Sequence, residues 1–207
     1  MVDRVRWNAL LIHRRFWPMD KRKKEGPMGT VYLFRGKAAT GKTTLSDRLA
    51  QKLSIPVFRK DDITDALKSG GHLPDRAARD AVCYDILCRI LQTNLNLGAD
   101  FIVDLALGDR SNAAFFLNRL DFKQNKVFRF FLDCSDEEAW KRRHLERLKN
   151  PLPHESFHSL EHVLAHYRQA DIGPMEGEYV IDSANPIDVC FAELSRIIAA
   201  GQPGQGI

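Results

Sequence analysis

One stretch of the sequence combines residue types and spacing that suit the binding of a phosphate chain. Residues 36–43, the phosphate loop, read GKAATGKT and fit the pattern G-x-x-x-x-G-K-[ST]. In this pattern glycines let backbone N–H groups face an anion, and the helix that follows adds the positive end of its dipole. We expect Lys42 to reach the β- and γ-phosphates of a bound triphosphate and the Thr43 hydroxyl to ligate Mg²⁺. The expected nucleotide-binding residues here are Gly36, Lys37, Ala38, Ala39, Thr40, Gly41, Lys42, Thr43 and Thr44.

A glycine-rich turn that merely joins a strand to a helix would give the same pattern, so the flanking residues decide between the two interpretations. Residues 31–34 form a short apolar, β-rich run, which predicts a buried strand. Leu45, Leu49 and Leu53 recur at helical spacing, which predicts a helix directly after the loop. Strand, loop and helix in this order favour phosphate binding.

The rest of the chain alternates between strand-like and helix-like patterns from residue 29 onward. Such alternation is typical of a parallel α/β sheet. Further strands are expected at residues 56–60, 100–104, 126–132 and 179–182. Helices are expected at residues 63–68, 73–97, 111–120, 136–148, 155–168 and 186–199. The predicted fold is therefore α/β, with a five-stranded parallel sheet flanked by helices.

Carboxylates follow two of these strands, at the edge of a parallel sheet where ligands bind. Asp61 and Asp62 come after the second strand, and Asp104 ends the third. Phosphoryl transfer requires Mg²⁺, cations and a carboxylate that orients and deprotonates the acceptor hydroxyl. We predict that Asp61 is this base, just outside the strand adjoining the loop. We predict that Asp104 holds Mg²⁺ through water or binds the acceptor; helix capping is the alternative for a strand-end Asp.

Four cations lie on the helix expected at residues 136–148, where they can form a lid over the triphosphate. Arg143 and Arg147 are four residues apart and therefore share a face of that helix. Such a pair can neutralise the charge that develops during phosphoryl transfer. A solvated basic face is the alternative, and the presence of the phosphate loop favours a helical arginine lid.

Histidines recur at every fourth position near the end of the chain, as His154, His158, His162 and His166. Adjacent pairs at this spacing can chelate Zn²⁺ if the helix is continuous. A step of four residues drifts around a helix of 3.6 residues per turn, so all four imidazoles cannot share one ion. No cysteine cluster lies nearby in the sequence. A surface of the lid or an edge of the substrate site is the favoured interpretation.

The net charge of +4 comes from the first residues of the chain. Residues 1–25 contain eight Lys and Arg against three Asp and Glu, so the remainder is close to neutral. A near-neutral body gives no support for nucleic-acid binding. We predict a basic extension at residues 1–27, either disordered or an amphipathic helix that contacts a membrane or a partner. After this extension we predict one domain at residues 28–200 and a C-terminal tail at residues 201–207.

The cysteines and the apolar runs indicate the compartment. The four cysteines form no C-x-x-C pair and lie in apolar patterns, which favours reduced, buried thiols in a cytoplasmic protein. No apolar run approaches the length that spans a bilayer. The oligomeric state is left open by these features.

Together, the phosphate loop, the Lys60-Asp61-Asp62 run, Asp104 and the arginine helix resemble one group of P-loop kinases. The group includes polynucleotide kinase, zeta-toxin-type kinases, chloramphenicol phosphotransferase, and the shikimate and gluconate kinases. The resemblance extends from residue 29 to about residue 200. It implies a P-loop NTPase fold, with ATP and Mg²⁺ as cofactors and a hydroxyl group as the phosphate acceptor. The order and spacing are most similar to the kinase half of phage-type polynucleotide kinase.

The resemblance implies roles for particular residues. An Arg-Asp-Asp follows the second strand of polynucleotide kinase, and its first Asp is the catalytic base, which assigns that role to Asp61. The Asp that ends the third strand of the family corresponds to Asp104. Residues 183–186 resemble the segment that packs beside adenine. The lid arginines of the family fall near Arg142, Arg143 and Arg147.

One departure from the family bears on the acceptor. Polynucleotide kinase has an arginine three residues after the base that grips substrate phosphate, whereas this chain has Thr64. This departure and the near-neutral body weigh against a polynucleotide, because nucleic-acid binding depends on phosphate contacts. A small polar metabolite, sugar or antibiotic is the expected acceptor; a 5′-hydroxyl nucleic-acid kinase and a nucleotide-dependent switch are the alternatives. The expected acceptor-binding residues are Asp61, Asp62, Arg76, Arg79, Tyr84, Asp104 and Arg110.

Overall fold

The computed structural model describes residues 28–72 and 75–201. The predicted extension at residues 1–27 and residues 202–207 of the predicted tail lie outside the described part of the chain. The elements, in chain order, are β1 (Thr30–Gly36), α1 (Lys42–Leu53), β2 (Val57–Arg59), α2 (Lys60–Ser69), α3 (Arg76–Leu97), β3 (Phe101–Asp104), α4 (Arg110–Leu117), β4 (Lys126–Asp133), α5 (Glu137–Lys149), α6 (Leu160–Gln169), β5 (Tyr179–Asp182) and α7 (Ile187–Ala199).

Within the described residues, the five strands form one parallel sheet with the order β2-β3-β1-β4-β5. The predicted five-stranded parallel sheet is confirmed, and the strand of the phosphate loop lies at its centre. Phe34 and Arg59 both pair with Asp104, so the carboxyl ends of β1, β2 and β3 lie level. β3 separates the edge strand β2 from β1. The strand before Asp61 therefore pairs with β3 and is one strand removed from the strand of the phosphate loop.

Apolar side chains alternate along β1, and this alternation explains why helices cover both faces of the sheet. Val31 and Leu33 belong to a buried cluster with leucines of α3. Tyr32 and Phe34 belong to a second cluster, with leucines of α1 and α7. Successive strand residues point to opposite faces, and a parallel sheet buries both of them. The two clusters hold the carboxyl ends of the strands in fixed positions beside the phosphate loop.

The strand expected at residues 56–60 is shorter than predicted. It ends at Arg59, and Lys60 opens α2. Asp61 and Asp62 therefore lie in the first turn of a helix. The positive end of the helix dipole stabilises carboxylates at this position.

The helix expected at residues 155–168 begins only at Leu160. Ser159 caps it, because its Oγ accepts a hydrogen bond from the backbone N–H of His162 at 3.2 Å. His154 and His158 therefore precede α6, and a continuous helical face of four histidines does not form. In the part of the chain that the structure describes, no group of three or more His, Cys, Asp or Glu side chains is arranged to hold a metal ion.

Two further expectations concern the cysteines and the apolar runs. The prediction of unpaired, buried thiols is confirmed for the four cysteines, Cys83, Cys88, Cys134 and Cys190. Among the helices within residues 28–72 and 75–201, none combines the length and the apolar character that crossing a membrane requires.

Arg35, near the end of β1, is fully buried and joins the central strand to two segments beside the phosphate loop. Its Nε and Nη2 donate to the two carboxylate oxygens of Glu178, at 2.5 and 2.6 Å. Its guanidinium also donates to the carbonyl oxygens of Leu107, Gly108 and Gly173, at 3.1, 3.2 and 2.7 Å. These bonds fix the loop after β3, and the chain that leads into β5, to the strand of the phosphate loop.

We expect Arg35→Met to lower the free energy of unfolding by about 3–5 kcal/mol, because it removes the cation that pairs with the buried carboxylate of Glu178 and leaves that group without its two guanidinium hydrogen bonds. Urea denaturation of the full chain measures this change. The control is Lys149→Met, which breaks an ion pair with Glu146 whose side chains are 67% and 68% exposed. We expect the control to lose less than about 1 kcal/mol. An equal loss in the two variants would contradict the structural role of Arg35.

Candidate active site

The phosphate loop turns sharply between β1 and α1 because two glycines adopt backbone conformations that other residues rarely reach. Gly36 has a φ of 139°, and a Cβ atom there would lie 2.0 Å from the carbonyl oxygen of Leu132. Gly41 has a φ of 81° at the start of α1. Glycine reaches such conformations without steric cost. The loop thereby brings its backbone to the N-terminus of α1, where N–H groups and the helix dipole favour an anion.

Lys42 is buried at the start of α1, and its ammonium group folds back onto the phosphate loop. Its Nζ donates to the carbonyl oxygen of Lys37 at 2.5 Å and to that of Gly36 at 3.2 Å. Burial lowers the pKa of Lys42, and the carboxylates of Asp104 and Asp61 oppose this effect. A phosphate group in the loop would favour the charged form further, so the environment of Lys42 suits a bound anion.

Thr43 and Asp104, the two predicted Mg²⁺ ligands, are in direct contact. Thr43 Oγ1 donates to Asp104 Oδ2 at 2.9 Å, and Ser46 Oγ donates to the same oxygen at 3.3 Å. Burial raises the pKa of Asp104, although Lys42 and the hydrogen bond from Thr43 counteract the shift. A cation beside Asp104 would favour its charged form. Hydroxyl and carboxylate oxygens, completed by water and phosphate oxygens, are the ligands that Mg²⁺ takes, so these residues fit the ion.

Arg59 contacts Asp104 and was not identified from the sequence. Its Nε lies 3.6 Å from Asp104 Oδ2, and its guanidinium also pairs with Asp47 and, at 4.0 Å, with Asp62. The register that pairs Arg59 with Asp104 brings the two side chains together. Its place directly before the Lys60-Asp61-Asp62 run is the signal that could have identified it.

Asp61 lies in the same cleft as the phosphate loop. Its side chain is 34% exposed, and it is near enough to Lys42 to raise the pKa of the lysine. Asp62 also lines the cleft, but its side chain is 68% exposed. An accessible carboxylate close to the phosphate-binding lysine is placed to accept a proton from a hydroxyl group.

The lid segment, residues 150–159 between α5 and α6, contacts the helix that carries Asp61. His154 Nε2 lies 3.5 Å from Asp61 Oδ2, and His154 Nδ1 lies 3.0 Å from Asp65 Oδ2. Lys68 Nζ donates to the carbonyl oxygen of Pro153 at 2.7 Å. His154 therefore stands beside the predicted base.

Arg147 extends from α5 into the cleft, where the lid segment holds it. Its Nε lies 2.5 Å from Glu155 Oε2, and its Nη2 lies 3.4 Å from His154 Nε2. Burial acts to raise the pKa of Glu155, but hydrogen bonds from backbone N–H groups and the Arg147 cation hold that pKa below its ordinary value. Arg147 and Lys42 both line the cleft, and the charge of Arg147 adds to the effect of burial in lowering the pKa of Lys42.

Arg143 also lines the cleft, but it binds the loop that follows β5. Its Nη1 donates to Ser183 Oγ at 3.0 Å, and its Nη2 donates to the carbonyl oxygen of Ser183 at 2.7 Å. Ser183 and Asn185, from the segment that the resemblance places beside adenine, line the same cleft. Arg142 is exposed and is not among the described residues that line it. The structure thus brings two of the three expected lid arginines to the site.

Most of the predicted acceptor residues surround a cluster of charges on α2 and α3. Lys60 Nζ lies 2.5 Å from Asp80 Oδ1 and 5.5 Å from the ring centroid of Tyr84. Burial raises the pKa of Tyr84, and the carboxylate of Asp80 adds to this effect. Arg76 and Arg79 line the cleft from α3. This part of the cleft therefore presents both signs of charge to a ligand.

Arg110 does not lie in the cleft, although it was expected among the acceptor-binding residues. Its Nη2 lies 3.0 Å from Asp171 Oδ1, and it is not among the described residues that line the cleft. Its neighbour Asp109 does line the cleft, and Asp109 accepts hydrogen bonds from the backbone N–H groups of Asn112 at 2.9 Å and Asp171 at 3.0 Å. Arg110 therefore fastens α4 to the chain after α6 and is removed from the acceptor site.

The cleft that these side chains line has a volume of about 1140 Å³. Pockets for a single small ligand typically measure about 300–1,000 Å³. The cleft runs from Ser183 and Asn185, past the phosphate loop, to the charged side chains of α2 and α3. It is therefore large enough to hold a nucleotide and a second small molecule together.

Comparison with protein families gives a match over more than half of the chain, because the AAA domain family matches residues 31–170. The chain belongs to the AAA domain family. The matched part of this AAA domain runs from β1 to the end of α6, so it contains the phosphate loop, Asp61, Asp104 and the two arginines of α5 that line the cleft. Comparison with the curated proteins gives no match.

Solved structures share the fold of this AAA domain at low sequence identity. A candidate kinase from Chloroflexus aurantiacus gives a TM-score of 0.69 at 20% identity, over 84% of this chain and 99% of that chain. A gluconokinase from Sinorhizobium meliloti gives 0.52 at 14%, over 86% and 99%. An APS kinase from Mycobacterium tuberculosis, in complex with AMPPNP and APS, gives 0.54 at 14%, over 84% and 99%. The P-loop NTPase fold and the resemblance to P-loop kinases are thereby confirmed.

Several cleft residues of this AAA domain were not identified from the sequence. Asp80 could have been identified from the sequence, since it lies four residues after Arg76 in one predicted helix, a spacing that favours an ion pair. In the structure the two side chains are 3.7 Å apart. Glu155 and Tyr167 could not have been identified in this way, because no motif or spacing in the sequence distinguishes them from surface residues. Their place in the cleft depends on how the lid segment and α6 pack against α5, which is a tertiary contact.

Proposed function

We propose that this chain is an ATP-dependent kinase that transfers the γ-phosphoryl group to a hydroxyl group of a small polar molecule. One observation carries the proposal: the accessible carboxylate of Asp61 shares a cleft with the phosphate loop and acts electrostatically on Lys42. A carboxylate at this place is the feature that transfer to a hydroxyl requires in addition to nucleotide binding.

The donor side of the reaction rests on the phosphate loop. Lys42 exchanges its bonds to the carbonyl oxygens of Lys37 and Gly36 for bonds to the β- and γ-phosphates. Thr43 and Asp104 would hold Mg²⁺, and the ion would neutralise charge on the phosphate oxygens. Arg147 adds a second positive charge in the same cleft.

The acceptor side rests on Asp61. Its carboxylate orients the acceptor hydroxyl and takes the hydroxyl proton as the bond to phosphorus forms. Arg143 holds α5 against the loop that begins at Ser183, beside which adenine would lie. The lid segment covers the site and excludes water, since water would otherwise compete with the acceptor for the phosphoryl group.

The charges around the acceptor site favour a small polar molecule over a nucleic acid. Among the described residues, Asp80 forms ion pairs with both Lys60 and Arg76, so these two cations are not unpaired sites for a phosphate backbone. Thr64, at the place of the phosphate-gripping arginine, is 4% exposed, and its hydroxyl donates to the carbonyl oxygen of Lys60 within α2. The similar structures named as gluconokinase and APS kinase support the choice of a small acceptor.

Incubation of the full chain with Mg²⁺, γ-labelled ATP and single acceptors tests the proposal. The panel holds sugars, nucleosides, aminoglycoside and phenicol antibiotics, amino-sugar nucleotides, and 5′-hydroxyl DNA and RNA. We expect label on one class of small hydroxyl compounds. Label on oligonucleotide ends would favour the nucleic-acid kinase, and label that appears only as free phosphate would favour the nucleotide-dependent switch. A parallel series with γ-labelled GTP tests the choice of ATP as donor.

A further inference from the structure

The peptide bond between Lys37 and Ala38, in the first half of the phosphate loop, is held from both sides. Its carbonyl oxygen accepts a hydrogen bond from Lys42 Nζ at 2.5 Å. Its N–H group donates to the hydroxyl oxygen of Tyr167, on α6, at 2.7 Å. The lysine of such a loop reaches the β- and γ-phosphates. The Tyr167 hydroxyl therefore lies at the same end of the nucleotide site as the group to be transferred.

The ring of Tyr167 is fixed in this position by aromatic packing. Trp140 of α5 meets it edge to face, with ring centroids 5.3 Å apart, and Phe157 lies 6.1 Å away. The three rings belong to a cluster around the buried Val163. Trp140 Nε1 also donates to the carbonyl oxygen of Ala38 at 2.9 Å, so α5 and α6 each send one aromatic side chain to this loop residue. A hydroxyl held in place in this way loses little freedom when it binds a ligand.

The Tyr167 hydroxyl has a proton to donate. It accepts the Ala38 N–H bond, and the described contacts give its own O–H group no acceptor. A tyrosine hydroxyl can accept and donate at the same time. Burial raises the pKa of Tyr167 to about 12, so the group keeps its proton at neutral pH. Tyr167 lines the cleft, where a phosphate oxygen would be within its reach.

We propose that Tyr167 donates a hydrogen bond to the γ-phosphate of the bound nucleotide and makes the site prefer a triphosphate to a diphosphate. The inference rests on the proposed function, since it requires a nucleotide in the phosphate loop. The helix that follows the lid segment thereby contacts the phosphoryl group before transfer and loses that contact once ADP remains. Loss of the contact weakens the binding of the product relative to ATP.

Tyr167→Phe tests the inference, with the binding of AMPPNP and ADP to the full chain measured by calorimetry in Mg²⁺. We expect the affinity for AMPPNP to fall about tenfold and the affinity for ADP to change less than about twofold, because only the γ-phosphate loses a charge-assisted hydrogen bond. A role limited to packing would change both affinities alike. The control is Tyr179→Phe, which removes a hydroxyl from β5 at a residue outside the described cleft lining and leaves the affinity ratio unchanged.

Two further outcomes separate this inference from the proposed function. An equal change for AMPPNP and ADP, or tighter binding of AMPPNP by Tyr167→Phe, would overturn the inference and leave the kinase proposal standing. Absence of nucleotide binding by the wild type would overturn both. If Tyr167→Phe does not fold, the wild type alone decides, because the inference requires AMPPNP to bind at least about tenfold more tightly than ADP.

Discussion

Asp61→Asn is expected to reduce phosphoryl transfer by about 10²–10⁴-fold, the range that a positioned general base contributes. Asparagine keeps the shape of the side chain but cannot take the proton of the acceptor hydroxyl. The affinity for ATP should remain largely intact, because Lys42, Thr43 and the loop backbone make the phosphate contacts. Transfer is measured with γ-labelled ATP and the acceptor that the panel identifies, and ATP affinity is measured by calorimetry.

Asp85→Asn is the matched control for this variant. Asp85 pairs with Arg119 away from the cleft, and its side chain is 39% exposed, close to the 34% of Asp61. We expect the control to transfer phosphate at the wild-type rate. Loss of ATP affinity together with retained transfer in Asp61→Asn would show that Asp61 is not the base.

Lys42→Met is expected to lower the rate of transfer by about 10²–10³-fold, the effect of removing one donor from developing transition-state charge. It should also weaken ATP binding, because no ammonium group reaches the β- and γ-phosphates. The variant should remain folded. Burial lowers the pKa of Lys42, so its charged form is less stable in the folded protein than in the unfolded chain. That cost is present at neutral pH and disappears only above the ordinary pKa of lysine, about 10.4.

Lys52→Met provides the comparison for the change in charge. Lys52 lies on the same helix, is exposed, and donates to Ser195 Oγ at 3.2 Å; neither residue is among the described residues that line the cleft. Its removal should change neither ATP affinity nor transfer. Thermal melts of both variants check that the protein is folded. An ATP affinity of Lys42→Met equal to that of the wild type would place the phosphate site elsewhere.

The sheet could be predicted because local signals and tertiary packing agree along its strands. Residues 31–34 were expected as a buried strand, and Val31 to Phe34 have almost no exposed surface. The order of the strands could not be predicted, because apolar runs in several strands give no information about which neighbours pair. Only the structure shows that β2 lies at the edge of the sheet, beside β3.

Part of the cleft could also be predicted, by the rule that ligands bind at the carboxyl ends of parallel strands. Asp61 and Asp104 follow this rule and line the cleft with the phosphate loop. Arg110 was also expected at the acceptor site, but it is paired with Asp171, a residue that no sequence pattern connects to it. Tyr167 reaches Ala38 across 129 residues of sequence, so only the packing of α6 against α5 reveals its contact.

The central claim is that the γ-phosphoryl group passes to a hydroxyl acceptor, and phosphorus NMR of the whole reaction tests it most directly. The sample contains the full chain, Mg²⁺, ATP and the mixed acceptors. We predict a new phosphomonoester resonance that grows in step with ADP and is absent when Asp61→Asn replaces the wild type. The claim would be contradicted if inorganic phosphate were the only product besides ADP and if ADP formed at the same rate with and without acceptors.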